Sequence, residues 1–206
     1  MMGQHVGEQN DDDLLLRIRS GDEQTFLNLY HQRQGAIYRF ALHMAGSTSV
    51  AEDIVQDVFL VVISDSTGFD SSRGSLASYL FGIARKLVLR HLQRERQDLS
   101  LLDDSEESPV LPPAAIESPL DDLTRREGVD ALRRAVLALP RRYREVVVLC
   151  DLEELDYADA AQVLGCPIGT VRSRLHRARA LLMEKLQPER GARPAIGALK
   201  PIRCIT

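Results

Sequence analysis

The chain has 206 residues, 44% of them hydrophobic, with no tryptophan, five phenylalanines, five tyrosines and a formal net charge of −4. That length holds one large or two small domains with modest cores, and no apolar run is long enough to span a bilayer. The start, MMGQHVGEQNDDD, lacks the basic-then-apolar pattern of a signal peptide, so a cytosolic protein is expected.

Long segments with 3.6-residue apolar spacing and few strand signals predict an all-α protein. Residues 1–12 are polar and expected to be disordered, and a helical domain is expected over 13–96. Its opening segment carries Leu15, Ile18, Phe26, Leu29, Tyr30, Ile37, Phe40, Ala41 and Met44 as apolar positions. It reads as a short helix and a long one, broken near Ser20-Gly21 and stopped at Gly46 and Ser47. Ser49, with Glu52 three residues on, fits a capping box for the helix AEDIVQDVFLVVI. That helix would bury Ile54, Val55, Val58, Phe59, Val62 and Ile63 and leave Glu52, Asp53, Gln56 and Asp57 on a polar edge. The loop SDSTGFDSSRGS leads into a helix over Leu76–Arg96, where Arg85, Lys86, Arg90, Arg94 and Arg96 face only Glu95.

An acidic, Pro-containing linker is expected over 97–123, since Pro109, Pro112, Pro113 and Pro119 block long helices. From Asp98 to Asp122 there are eight carboxylates and no Lys or Arg, which leaves +4 on the remainder of the chain. Positive charge therefore collects on two segments, Arg85–Arg96 and Arg172–Arg179, on either side of an acidic tether.

A second helical domain is expected over 124–187, with helices near Arg126–Ala138, Arg141–Leu149, Tyr157–Leu164 and Ile168–Leu186, and an unstructured tail over 188–206. Gly165 suits the left-handed end of one helix and Pro167 the first turn of the next. Leu155, Ala158, Ala161 and Leu164 form an apolar stripe on the first helix of this pair, and Val171, Leu175, Ala178 and Leu182 form one on the second. At 100° per residue the latter four lie within about 60° of one another. Thr170, Arg172, Ser173, His176 and Arg177 fall on the opposite side. A helix-turn-helix uses this arrangement to place donors against base edges in the major groove, whereas a plain helical bundle would leave the same residues solvated.

Other chemistries find little support. His5, His31, His43, His91 and His176 are scattered, no Gly-rich phosphate loop or metal spacing occurs, and no catalytic residue, metal site or cofactor is expected. Cys150, Cys166 and Cys204 are odd in number and lack a CxxC, so they read as reduced thiols.

Four motifs in order, AEDIVQDVF (Ala51–Phe59), GSLASYLFGIARKLVLRHLQRERQ (Gly74–Gln97), LPRRYREVVVL (Leu139–Leu149) and DYADAAQVLGCPIGTVRSRLHRAR (Asp156–Arg179), resemble bacterial RNA polymerase sigma factors of the extracytoplasmic-function group of the sigma-70 family. The resemblance spans Leu14 to Leu186. It implies two helical domains, sigma region 2 and the helix-turn-helix region 4, and a promoter-specificity subunit without catalysis of its own. It also implies that Asp53, Gln56, Asp57 and Phe59 belong to a docking surface for core polymerase, chiefly a coiled coil of the β′ subunit, with the β subunit as a further partner. The Gly68–Arg96 region matches the part that melts and holds the −10 promoter element. Phe69, Arg73, Ser75 and Tyr79 would supply a base pocket, and Arg85, Lys86, Arg90 and Arg94 would run along the phosphates. Thr170, Arg172, Ser173, His176 and Arg177 match contacts to the −35 element, with Arg174 and Arg179 reaching flanking phosphates. The family usually carries tryptophan near Ile63 and Tyr79, asparagine near Lys86 and aspartate near Arg90. The last two exchanges add charge and remove a base-reading amide, so they bear on the −10 sequence preference, while the resemblance still implies single-strand binding.

The resemblance further implies an anti-sigma protein as a partner, a cytoplasmic location that is nucleoid-associated when polymerase is bound, and a linker lying as a nucleic-acid mimic where the transcript later passes. The alternative weighed on residues alone is a helix-turn-helix regulator that binds a palindrome as a homodimer. That alternative gives no reason for the second basic helix or for the acidic helix edge.

Overall fold

The computed structural model describes residues 8–64, 68–100 and 123–186. Most of the expected acidic linker, the expected tail and Cys204 lie outside the described residues. Within them the chain forms helices α1 (Glu8–Arg19), α2 (Glu23–Ala45), α3 (Thr48–Ser64), α4 (Leu76–Ser100), α5 (Leu123–Leu137), α6 (Arg141–Val147), α7 (Tyr157–Leu164) and α8 (Ile168–Leu186), and no strand. The all-α expectation holds.

Local chemistry sets the helix ends. The Asp22 carboxylate caps α2 by accepting from the Thr25 N–H at 3.0 Å and the Thr25 hydroxyl at 2.8 Å, while Arg17 donates to it at 2.7 and 3.1 Å. These bonds hold the Asp22 carboxyl down to about 2, the Thr25 N–H contributing most. Gly46, at φ 78°, ends α2 by donating its N–H to Leu42.

Four details differ from expectation. Helix α1 begins at Glu8, inside the stretch expected to be disordered, because Asp11 accepts from the Leu76 N–H at 3.3 Å and Asp12 accepts from the Ser71 hydroxyl. Ser47 rather than Ser49 lies at the start of α3, its Oγ 3.4 Å from the Val50 N–H; the chain turns straight out of the Gly46 cap, so the helix starts early. Ile63 is 50% exposed although Val62 before it is fully buried, because Ile63 lies at the edge of the buried stripe of α3. Ala158 is exposed, and Ala160, Ala161, Val163 and Leu164 form the buried stripe of α7.

Helices α1–α4 enclose an aromatic and aliphatic core. Phe40 on α2 meets Phe81 on α4 edge-on at 5.5 Å, and Phe59 on α3 packs against Phe26 and Tyr30 at 6.0 and 4.8 Å. Each such ring contributes about 1.5–3 kcal/mol by leaving water. In the C-terminal half, Val136, Leu139, Val146, Leu149, Val171 and Leu175 form the centre. Helix α6 opens after Pro140 and passes into a single π turn, Val148–Leu152. Glu154 follows at φ 56°, and Asp156 then caps α7 by accepting from the Asp159 N–H at 2.7 Å.

The turn between α7 and α8 is a Schellman motif. The Cys166 N–H reaches Ala161 O at 3.0 Å, the Gly165 N–H reaches Gln162 O at 3.1 Å, and Gly165 takes φ 63°. Replacing Gly165 by alanine should therefore destabilise the fold by about 1–2 kcal/mol through the left-handed backbone alone; chemical denaturation measures it, and no loss would show that the turn relaxes.

The two halves touch along α2, which meets α5, α6 and the π turn, and along α4, which meets α7. His43, in the last turn of α2, lies at this contact. Burial chiefly, then Arg133 and Arg39, pull its imidazole below the ordinary 6.5. The folded state thus resists protonation, and stability present above pH 6.5 is lost as pH falls below it. Denaturation midpoints should fall on acidification through pH 6.5, and His43→Gln should flatten that segment of the profile; an unchanged slope would remove His43 as the cause.

Candidate nucleic-acid interface

Helix α8 buries Val171, Leu175, Ala178 and Leu182, the four positions its spacing predicts. Arg172, Ser173, His176 and Arg177 are exposed on the other side, and Thr170 and Arg174 are half-buried. The Arg172 guanidinium lies 5.9 Å from the Tyr157 ring centre, within cation–π reach. Tyr157, in the first turn of α7, thus neighbours a side chain on the exposed face of α8, a contact the sequence did not signal. Arg179 is occupied: it donates to both Asp151 oxygens at 3.0 and 2.6 Å, and those bonds raise its already high pKa. The Ser173 hydroxyl turns back to Thr170 O at 3.1 Å.

The second basic surface runs along α4. Phe69 and Tyr79 form a tilted ring pair 5.5 Å apart at its N-terminal end, and Arg73 beside them is exposed. Along the helix Lys86, Arg90 and Arg94 are exposed. Ser75 caps the helix by accepting from the Ser78 N–H at 3.1 Å. The arrangement offers aromatic faces for stacking and a row of cations for a phosphate backbone.

Two residues of this set are engaged by the other half of the chain. The Ser75 hydroxyl donates to Asp159 at 2.6 Å, and Arg85 donates to both oxygens of Glu145 at 3.1 and 3.4 Å. Further ties flank them. Arg39 forks onto Glu153 at 3.1 and 2.8 Å. Arg144 donates to Met44 O at 2.8 Å, to Leu139 O at 3.2 Å and to Leu137 O, so one guanidinium closes carbonyls of both halves. Burial holds the Glu153 carboxyl above the usual range, although Arg39 opposes the shift. Sequence reasoning missed Glu145, Glu153 and Asp159, because nothing local marks a carboxylate whose partner lies 60 or more residues away.

On α3, Asp53, Gln56 and Asp57 are exposed on the edge expected, whereas Phe59 is 3% exposed. Phe59 is therefore corrected from a contact residue to a support, held in the core by Phe26 and Tyr30. Beside the acidic edge runs a groove of 440 Å³, in which Tyr30, His31, Gln34 and Tyr38 of α2 face Glu52 and Gln56 of α3. Of the α2 residues, Tyr30 was read as core, and nothing local marks His31, Gln34 and Tyr38 as facing α3. Cys150 and Cys166 are free, and burial chiefly pushes the Cys150 thiol up to about 11, so it is not a thiolate at neutral pH.

Comparison with known proteins agrees with this layout. The model of sigma-70 region 2 matches residues 29–97 and that of sigma-70 region 4 matches 130–182. The ECF RNA polymerase sigma-E factor of Escherichia coli (strain K12) is 31% identical over 191 residues, covering 89% of this chain and 98% of that protein. The ECF RNA polymerase sigma factor SigW of Bacillus subtilis is 27% identical over 183 residues, 83% of this chain and 94% of that protein. A solved structure of the sigma factor RpoE in complex with the anti-sigma factor NepR, from Bartonella quintana, superposes with a TM-score of 0.64 at 27% identity, over 80% of this chain and 98% of that one. The chain belongs to the extracytoplasmic-function group of the sigma-70 family: it is a non-enzymatic RNA polymerase sigma factor that binds the core enzyme and promoter DNA.

Proposed function

We propose that α8 reads the −35 element as duplex, that the Phe69–Arg94 region holds the melted −10 strand, and that α3 docks the core enzyme. The observation that carries this reading is the exposed Arg172, His176 and Arg177 face opposite the buried stripe of α8. Thr170, Arg172, Ser173, His176 and Arg177 face the −35 bases and backbone, Arg174 reaches a flanking phosphate, and Arg179 does so once released from Asp151. Phe69 and Tyr79 stack a flipped base, and Arg73, Lys86, Arg90 and Arg94 follow the phosphates. Ser75 and Arg85 belong to the same surface. Asp53, Gln56 and Asp57, with the Tyr30–Tyr38 side of the groove, offer an acidic and polar seat to a basic helix of the β′ subunit, and the β subunit is the further contact.

An anti-sigma protein is the expected regulator, as in the Bartonella quintana complex. The domains take the bounds 13–96 and 124–187, with 97–123 as an acidic linker lying where the transcript passes. The protein works in the cytoplasm, at the nucleoid when polymerase is bound. The homodimeric regulator is not favoured, because it leaves the α3 edge and the α4 cations without a role.

Arg172→Ala or Arg177→Ala should cut affinity for a −35 duplex by about 5- to 100-fold, as expected for a lost base or charged contact. Core-enzyme binding should be unchanged, both being read by fluorescence anisotropy; loss of core binding would overturn the assignment. Asp57→Arg should do the reverse, weakening assembly with core while −35 binding persists, and normal assembly would remove the docking claim.

A further inference from the structure

We infer that the junction of α2 with α5 is a binding site for a small phosphate-type oxyanion, held between His43, Arg39 and Arg133. None of the three belongs to the α3 edge, the α4 row or α8, so the site stands apart from the proposed promoter and polymerase contacts.

Among the described residues, cations gather at this junction in excess of carboxylates. The end of α2 lies against α5, where a Cβ on Gly46 would meet the Leu137 side chain at 3.4 Å. His43, just before that end, is half-buried, and Arg133 of α5 and Arg39 of α2 both act on its charge. Arg144 of α6 brings a further guanidinium by donating to Met44 O at 2.8 Å. Two nearby carboxylates are already taken. Glu153, just after the π turn, accepts both Arg39 bonds, and Glu145 of α6 accepts those of Arg85. Three buried side-chain nitrogens here, His43 Nδ1, Arg133 Nε and Arg144 Nε, have no hydrogen-bond partner among the described residues. Buried polar groups are nearly always bonded and buried charges paired, so three such orphans at one junction call for an acceptor.

The group that fits is compact and multiply charged. Arginine forks match phosphate oxygens, and an imidazolium adds one more donor. The last turn of a helix ordinarily favours a cationic histidine, yet burial and the two arginines hold the His43 imidazole below its ordinary 6.5. An anion seated among them reverses that local field, so His43 gains a proton as the anion binds. The adjoining cavity of 630 Å³ is the wrong seat, because Glu153, Glu154, Asp156 and Asp159 line it. Half-burial of both His43 and Arg133 favours a free small anion over a nucleic-acid strand. Since α2 and α5 belong to different halves, a bound anion also strengthens their contact.

The test is an NMR titration of the histidine imidazoles in the full chain, with the His43 signal assigned from His43→Gln. Sulfate is the probe, because it keeps both charges throughout the titration. At ionic strength matched with chloride, saturating sulfate should raise the His43 midpoint by about one unit, a tenfold preference of the anion for the protonated form. Arg133→Gln should lose that rise, whereas Arg172→Ala, altered on α8, should keep it. Inorganic pyrophosphate should raise the melting temperature of the unaltered chain more than that of Arg133→Gln. A His43 midpoint that sulfate leaves unmoved overturns the site. An equal rise in Arg133→Gln overturns it as well, by showing that the anion acts elsewhere. Oligothymidylate at the same phosphate concentration should leave His43 unmoved; a rise larger than with sulfate would assign the junction to nucleic acid and overturn the small-anion site.

Discussion

Two carboxylates buried between the halves of the chain constrain how those halves sit. Glu145 is 3% exposed and the Glu153 side chain 1%, and each meets an arginine from the opposite half. A buried carboxylate without a partner is costly: removing one member of a buried pair leaves an uncompensated charge worth about 3–5 kcal/mol. Arg144 adds a second constraint, since the two terminal nitrogens of its half-buried guanidinium donate to carbonyls that belong to α2, α5 and the turn before α6, while its buried Nε has no partner among the described residues. Charge pairing at named points thus works together with an apolar core that runs on from one half into the other.

Buried apolar residues around Phe40 and around Val146 belong to one continuous cluster, and the polar bonds of the seam lie beside it. Ser75 ties α4 to α7 through Asp159, and Arg85 ties α4 to α6 through Glu145.

Much of this was legible in the sequence wherever the information is local. The stripe Val171, Leu175, Ala178 and Leu182 gave the orientation of α8, and Gly165 with Pro167 gave the turn before it. The acidic edge Asp53, Gln56 and Asp57 was legible because α3 is strongly apolar on its other side. Three kinds of feature were not. Ser49 was read as a cap because it precedes Glu52, yet the Gly46 turn moves the helix start to Ser47. Phe59 carries no mark that separates a docking aromatic from a core one; only the neighbouring Phe26 and Tyr30 decide it. Arg85 and Ser75 read as free ligands for DNA, since nothing in their surroundings along the chain announces Glu145 and Asp159.

Potassium permanganate footprinting of a promoter bound by core polymerase and this chain tests the central claim most directly, namely that one subunit grips duplex and melted DNA at neighbouring places. The account predicts protected duplex around −35 together with reactive thymines around −10, both dependent on adding the chain. A symmetric protected duplex with no reactive thymine would contradict it.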